Sequence, residues 1–150
     1  MEIPMIKALL DACYQAKRVR ELLPALPNGV APSYIQYLDT IENLEERGIP
    51  VKVSDISAAL NLPRPGVTRT VKEMEDQGYL KKAASDTDGR ITYLSITEAG
   101  KKLSQIYNEQ FFSQLAPLLT EISEEEARCT IHTIEKLYQT MSERRIPLEH

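Results

Sequence analysis

The chain has 150 residues, a formal net charge of −4 and a hydrophobic fraction of 42%, which suits one domain with a buried core. No apolar run approaches the roughly 20 residues of a membrane span, and the N-terminus lacks a signal-peptide layout, so we expect a cytoplasmic protein without membrane contact. The two cysteines, Cys13 and Cys129, are too few for a disulfide framework, and they form no metal-ligand spacing with His132.

Two helices are predicted in the N-terminal third. The first covers residues 5–23 and carries a broad apolar face at helical spacing. A loop rich in proline follows, and Ser33 then caps a second helix that ends at Gly48. Residues 49–53 are apolar and β-branched, so a short strand is expected there.

The next stretch predicts two short helices separated by a break. Ser54 is a suitable N-cap for the first, and the proline of residues 61–63 interrupts it. The second begins near Pro65 and ends at Gly78, with an apolar stripe of Val67, Val71 and Met74. This is a helix-turn-helix arrangement, whose second helix can enter a DNA major groove.

The outer face of the second helix has the residue types that contact DNA. Arg64, Pro65, Thr68 and Arg69 would face base edges, because arginine pairs with guanine and threonine contacts thymine. Lys72 lies one turn further on and suits a phosphate. An ordinary solvated helix face explains these residues equally well when the helix is taken alone.

A β-hairpin is predicted directly after this helix. Residues 79–84 and 90–96 form its strands, and the polar segment 85–89 contains Asp-Gly, a strong hairpin signal. Lys81, Lys82 and Arg90 on the hairpin could contact phosphates or the minor groove. Residues 64–90 hold six cations against five acids, so this segment is less acidic than the rest of the chain.

Two further helices are predicted at the C-terminal end. Thr97 caps a long helix from residue 98 toward 116, and Pro117 kinks or ends it. Ser123 and Glu126 form a capping box for a last helix that reaches about residue 142. A helix-turn-helix followed by a β-hairpin is a winged helix. Because the two C-terminal helices exceed what a winged helix needs to cover its own core, we expect a partner chain on their apolar faces.

The central third of the sequence resembles the MarR family of bacterial transcription regulators. The motifs are GVTRTV at 66–71, MEDQGYL at 74–80, DGR at 88–90 and LSITEAG at 94–100. The resemblance implies a homodimeric winged-helix DNA binder, which usually represses and is released by a small ligand or an oxidant. The expected fold is mainly α with a small β-wing, as one MarR-like domain over 1–150. Its DNA-binding lobe covers 33–97, flanked by dimerisation helices 5–23 and 98–142.

The wing departs from the family pattern at one position. Family wings often read Asp-x-Arg-Asp-x-Arg, and the first arginine enters the minor groove. Thr87 stands at that position here, whereas Arg90 matches the second arginine, which buttresses the wing through an aspartate. The choice between minor-groove and phosphate contacts for Lys81, Lys82 and Arg90 therefore stays open.

Two effector hypotheses arise from the N-terminal helices. The resemblance implies a ligand cleft, for which Tyr14, Tyr37 and Arg18 would bind a small aromatic or anionic effector; simple packing of the tyrosines is the alternative. Some MarR-like peroxide sensors carry a reactive cysteine in their first helix, where Cys13 lies near three cations. A structural cysteine is the competing interpretation.

The function predicted from the sequence is sequence-specific binding of double-stranded DNA at a pseudo-palindromic operator, with repression released by a small ligand. A winged-helix protein-interaction module without DNA binding and a redox regulator acting through Cys13 are the alternatives. No phosphate loop, metal spacing or nucleophile elbow is present in the sequence, so neither an enzyme, a metal site nor a cofactor is expected.

Overall fold

The computed structural model describes residues 1–149, which form two compact units. Residues 26–115 make a continuous unit, and residues 1–25 and 116–149 together make the other. The helices are α1 Ile3–Glu21, α2 Ser33–Glu46, α3 Val53–Leu60, α4 Arg64–Asp76, α5 Glu98–Tyr107, α6 Ser113–Leu115 and α7 Glu124–Glu143; the strands are β1 Leu80–Ala84 and β2 Thr92–Ile96. The predicted class, mainly helical with a small wing, is confirmed.

Helix α3 starts two residues earlier than predicted, with Lys52 at the N-cap position. The backbone N–H of Lys52 donates to Asp55 Oδ2 at 2.8 Å, so the carboxylate of Asp55 satisfies the start of the helix. Ser54 was predicted as the N-cap and instead lies inside the first turn. Asn61 ends α3 in the left-handed conformation, with φ of 51°, which asparagine tolerates better than most residues.

Helix α4 begins one residue before Pro65, ends at Asp76, two residues before the predicted Gly78, and buries the predicted stripe. Pro65 lies in its first turn, and Gly78 follows its end with φ of 82°. Val67, Val71 and Met74 are fully buried. They join a core that also contains Leu38, Ile41, Ile56, Leu80 and Leu94. The outer face of α4 is therefore fixed toward solvent by its packing.

The wing is a two-stranded antiparallel ribbon. Its register runs from Leu80 opposite Ile96 to Ala84 opposite Thr92. A loop over residues 85–91 connects the strands and is closed by the Ser85 N–H, which donates to the Ile91 carbonyl at 2.8 Å. The strand expected at 49–53 is reduced to a single bridge between Val51 and Leu94.

The compact unit that contains the winged helix extends beyond the wing. Leu103 and Tyr107 of α5 belong to its core, and the unit continues to residue 115. Residues 98–115 therefore belong to the winged unit, because their apolar side chains pack there. The predicted bounds of the DNA-binding lobe, 33–97, stay a prediction. After α5 the backbone passes through a π-helical segment, Asn108–Phe112, and α-helical geometry stops at Leu115, just before Pro117.

The other unit consists mainly of α1 and α7. The capping box of α7 is confirmed: Ser123 Oγ accepts from the Glu126 N–H at 3.1 Å, and Glu126 Oε2 accepts from the Ser123 N–H at 2.8 Å. The Ser123 N–H, followed by the Ser123 hydroxyl, which donates to the same carboxylate oxygen at 2.8 Å, holds the pKa of Glu126 below its ordinary value. No residue of α1 or α7 is buried. Among the described residues, no helix has the length and apolar character needed to cross a membrane.

Candidate nucleic-acid interface

The outer face of α4 and the wing form the candidate interface. All eight residues predicted to contact DNA are exposed, namely Arg64, Pro65, Thr68, Arg69, Lys72, Lys81, Lys82 and Arg90. The first five lie on α4, Lys81 and Lys82 lie on β1, and Arg90 lies in the wing loop. Since they all belong to the unit 26–115, the winged-helix packing brings them onto one body.

Three of the six cations already contact a carboxylate. Lys72 Nζ lies 3.7 Å from Asp76 Oδ2, Lys82 Nζ lies 3.1 Å from Glu75 Oε2, and Arg90 Nε lies 3.2 Å from Asp88 Oδ1. Within residues 1–149, the charged groups of Arg64, Arg69 and Lys81 have no acidic group within 4.0 Å. The unpaired cations are the ones most available to an incoming anion.

The pair of Lys82 and Glu75 joins the wing to α4. Both side chains are 37% exposed, but the Glu75 Oε2 atom itself has almost no contact with solvent. The ammonium of Lys82 is its one charged neighbour at salt-bridge distance among the described residues. The sequence does not identify Glu75, because the contact forms only when β1 returns beside α4.

Arg90 holds the wing loop through Asp88. Its Nε and Nη2 donate to the two oxygens of Asp88 at 3.2 and 3.4 Å, and its backbone N–H donates to Oδ1 at 3.0 Å. The side-chain bond, followed by the backbone bond, holds the pKa of Asp88 below its ordinary value. Arg90 therefore makes the aspartate contact that the family resemblance implies. Thr87 lies within the loop, where its hydroxyl is 3.1 Å from Ser85 Oγ.

A buried tyrosine connects α2 to the C-terminal half of α4. The Tyr34 hydroxyl donates to Glu73 Oε2 at 3.4 Å and accepts from Gln77 Nε2 at 3.0 Å. Burial, followed by the negative charge of Glu73, raises the pKa of Tyr34. The sequence does not reveal this contact, since the spacing along one helix does not identify a partner on another.

The residues predicted for effectors lie in different surroundings. Tyr37 is buried in the core of the winged unit, whereas Tyr14 is exposed on α1 and Arg18 Nη1 donates to Gln15 Oε1 at 3.4 Å. Cys13 is half-buried on α1, and Cys129 is exposed on α7. Their roles stay predictions. Over residues 1–149 there is no group of three or more His, Cys, Asp and Glu side chains that could hold a metal ion.

Comparison with known proteins shows which family the winged helix resembles in sequence. The sequence model of the MarR family matches residues 28–91. The transcriptional repressor MprA of Escherichia coli (strain K12) is 33% identical over 72 residues, or 48% of this chain and 40% of MprA. The uncharacterized HTH-type transcriptional regulator YdgJ of Bacillus subtilis (strain 168) is 23% identical over 109 residues, or 73% of this chain and 64% of YdgJ.

The chain therefore spans less than two thirds of the length of either relative. Among solved structures, Streptococcus pneumoniae FabT in complex with DNA is similar, with a TM-score of 0.64 and 20% identity over 95% of this chain and 99% of FabT. At that identity the likeness supports the fold, and the sequence match supports the family. Residues 28–91 are therefore similar in sequence to the MarR family, and the whole chain is similar in fold to FabT.

Proposed function

We propose that this protein is a sequence-specific DNA-binding transcription regulator that acts as a homodimer. The observation that carries the proposal is the outer face of α4. Arg64, Thr68 and Arg69 are exposed there, and both arginines are without a carboxylate partner among residues 1–149. The opposite side of the helix is fully buried. A rigid helix with free arginine forks suits the guanine edges of a major groove.

The other cations would position the wing and the phosphate backbone. Lys81 is free for a phosphate, and Lys72 is 71% exposed beside Asp76, so water and salt weaken that pair. Lys82 and Arg90 are held by Glu75 and Asp88, so part of their charge is already compensated. We assign these two residues mainly to fixing the wing and secondarily to phosphate contact.

The homodimer would form through α1 and α7. Large apolar side chains on these helices are exposed, including Ile3, Ile6, Leu10, Tyr14, Ile131, Ile134, Tyr138 and Met141. Contiguous exposed apolar surface on this scale is typical of an interface. A two-fold dimer would place two α4 helices roughly 34–36 Å apart, which matches the half-sites of a pseudo-palindromic operator.

Control would follow from a shift between dimer geometries. A small aromatic or anionic effector that prefers the geometry with misaligned α4 helices would release the operator. Tyr14, Arg18 and Tyr37 are the residues that we assign to this effector. MprA is named a transcriptional repressor, and its similarity to residues of this chain supports repression here. Because the family consists of regulators, we assign no enzymatic activity and no cofactor, and we expect the protein in the cytoplasm.

A protein-interaction module is the second candidate function. It is favoured by the net charge of −4 and by the carboxylates that pair with three of the six cations in residues 64–90. Affinity for DNA depends strongly on cations that are free to contact phosphate. A protein-interaction module would therefore bind DNA weakly or without dependence on salt.

Salt titration separates the two candidates. For wild-type protein on duplex DNA, the logarithm of the binding constant should fall linearly with the logarithm of the salt concentration. The slope should be near −0.9 per phosphate contact. The double variant Arg64→Ala and Arg69→Ala should lose most of its preference for a cognate sequence, while Lys102→Ala on α5 is the control and should retain it. Binding that does not respond to salt, or a double variant that behaves like wild type, would favour the protein-interaction module.

A further inference from the structure

The unit formed by residues 1–25 and 116–149 contains a cavity of about 270 Å³ with both cysteines of the chain in its wall. This volume is near the lower end of the roughly 300–1,000 Å³ of small-molecule sites. The lining residues are Leu9, Ala12, Cys13 and Ala16 from α1, and Cys129, Thr130, Thr133 and Ile134 from α7.

Small side chains on α1 account for the space. Ala12, Cys13 and Ala16 all line the cavity, with Ala16 four residues after Ala12 and three after Cys13, and their small side chains do not fill the gap between the helices. Cys129 contributes the second thiol from the facing helix. Both thiols are free, and both border the same cavity.

Apart from the thiols, the wall offers no strong polar group. The Thr130 hydroxyl donates to the Glu126 carbonyl and the Thr133 hydroxyl to the Cys129 carbonyl, each at 2.8 Å, so both hydroxyls already bond to the backbone of α7. No carboxylate, imidazole or amine is among the described residues of the wall. A ligand of this site must therefore be recognised by sulfur and by hydrocarbon.

We propose that Cys13 and Cys129 form a dithiol site for a trivalent organoarsenical. An arsenic atom that carries one organic group and two hydroxyls bonds both sulfurs: two As–S bonds replace two As–O bonds. The two thiol protons leave with the hydroxyls as two molecules of water, and no electron is transferred. The organic group occupies the apolar part of the cavity beside Leu9, Ala16 and Ile134. A bare soft ion would also take thiolates but would leave this space empty.

The site borders the dimer face proposed above. The exposed apolar stripe of α1 runs through Ile3, Ile6, Leu10 and Tyr14, and Cys13 lies beside it, three residues after Leu10. Ile134 of α7 belongs to both the cavity wall and the exposed apolar face, so the arsenical would lie at the edge of the interface. The site does not depend on DNA binding, so its test is separate from the test of the proposed function.

The experiment is titration of the reduced full-length protein with phenylarsine oxide, read by intact mass and by alkylation of the remaining thiols. We expect one phenylarsenic group per chain and protection of both cysteines, with release by a dithiol but not by a monothiol. Cys13→Ser and Cys129→Ser should each weaken binding by about 100-fold or more, because the second As–S bond forms within one complex at high effective concentration.

Two variants test the cavity itself. Ala16→Leu fills the space and keeps both thiols. It should therefore weaken the binding of phenylarsine oxide and leave the binding of arsenite unchanged, because arsenite carries no organic group. Thr133→Val is the matched control and should bind both probes as wild type does. Circular dichroism and the thermal midpoint verify that each variant is folded. Three results would overturn the proposal. They are a loss of affinity below tenfold in either cysteine variant, an equal effect of Ala16→Leu on both probes, or an arsenic atom that joins two chains.

Discussion

Arg69 and Lys82 carry the same charge but have different surroundings. Arg69 projects from α4 without a carboxylate partner among residues 1–149, whereas Lys82 lies 3.1 Å from an oxygen of Glu75 that solvent hardly reaches. The sequence predicts both as exposed cations, because exposure follows from the helical and strand patterns. Their different electrostatic environments depend on contacts between elements, which the spacing along the chain does not contain.

Arg69→Ala should weaken binding to a cognate operator by roughly 1–3 kcal/mol and relax specificity at one base position, because a bidentate contact to a guanine is lost. Titration of the variant against the operator and against each single-base substitution of it measures both effects. An equal loss of affinity on operator and random DNA would show that Arg69 contacts phosphate instead.

Lys81→Ala and Lys82→Ala should differ in their effect on stability. Lys81→Ala should lower the salt slope by about one and leave the unfolding free energy nearly unchanged. Lys82→Ala should lower the unfolding free energy by about 1 kcal/mol, because Glu75 Oε2 loses its cation. Urea unfolding of the two variants, followed by salt titration on DNA, checks this difference. Indistinguishable unfolding midpoints would contradict the positioning role of Lys82.

At the level of elements, the start of α5 is fixed by close contacts with the backbone before it. A Cβ atom on Gly100 in the first turn of α5 would lie 2.4 Å from the Tyr79 carbonyl oxygen and 2.7 Å from Ile96 Cγ2. Thr97 stabilises the same turn, since its hydroxyl accepts from the Gly100 N–H at 3.1 Å and donates to the Gly78 carbonyl at 2.5 Å. The first turn of α5 therefore packs directly against the backbone of residues 78 and 79 at the base of the wing.

Gly100→Ala should lower the unfolding free energy by about 1–3 kcal/mol, because the backbone of Tyr79 cannot give way as a flexible side chain would. Gly66→Ala is the matched control. No atom lies within 4 Å of its added Cβ, so the higher helix propensity of alanine should stabilise the protein by up to about 1 kcal/mol. Chemical unfolding of both variants measures the signs. A Gly100→Ala protein as stable as wild type would contradict the close packing of α5.

Tyr34 predicts a pH dependence in the contact between α2 and α4. Burial and then Glu73 raise its pKa above the ordinary value of 10.0, so its contribution to stability is present below pH 10.0 and is lost as the pH rises through the higher folded value. Tyr34→Phe should therefore lose less stability than wild type on this alkaline side. Urea unfolding below and above pH 10.0 checks the difference. The same alkaline loss in both proteins would assign it to other groups.

Local signals explain which elements could be predicted from the sequence. The Val67, Val71 and Met74 stripe, the Ser123 capping box and the wing strands each follow from residues close together in the chain, and the structure has all three. The N-cap at Ser54 was wrong because Asp55 reaches back to the N–H of Lys52. The packing of Leu103 and Tyr107 into the core of the winged unit could not be predicted, because most members of that core belong to other helices and strands.

At the level of the whole molecule, the apolar faces of α1 and α7 predict the oligomeric state. Leu10→Glu and Tyr138→Glu should each convert a dimer to a monomer, because a charge would be buried without a partner. Ile49→Glu, in the winged unit, is the control with a similar exposed apolar residue and should stay dimeric. Sedimentation at several concentrations measures this. A wild-type protein that remains monomeric at high concentration, or glutamate variants that remain dimeric, would contradict the assigned interface.

The central claim is that the unpaired arginines of α4, in two copies, recognise a DNA sequence. Selection of bound duplexes from a random pool by purified protein at moderate salt, followed by salt titration on the selected sequence, tests it most directly. We predict a pseudo-palindrome whose half-sites lie about one helical turn apart, with affinity that falls steeply as salt rises. Recovery of no sequence preference, even at low salt, would contradict the claim and favour a protein partner for this winged helix.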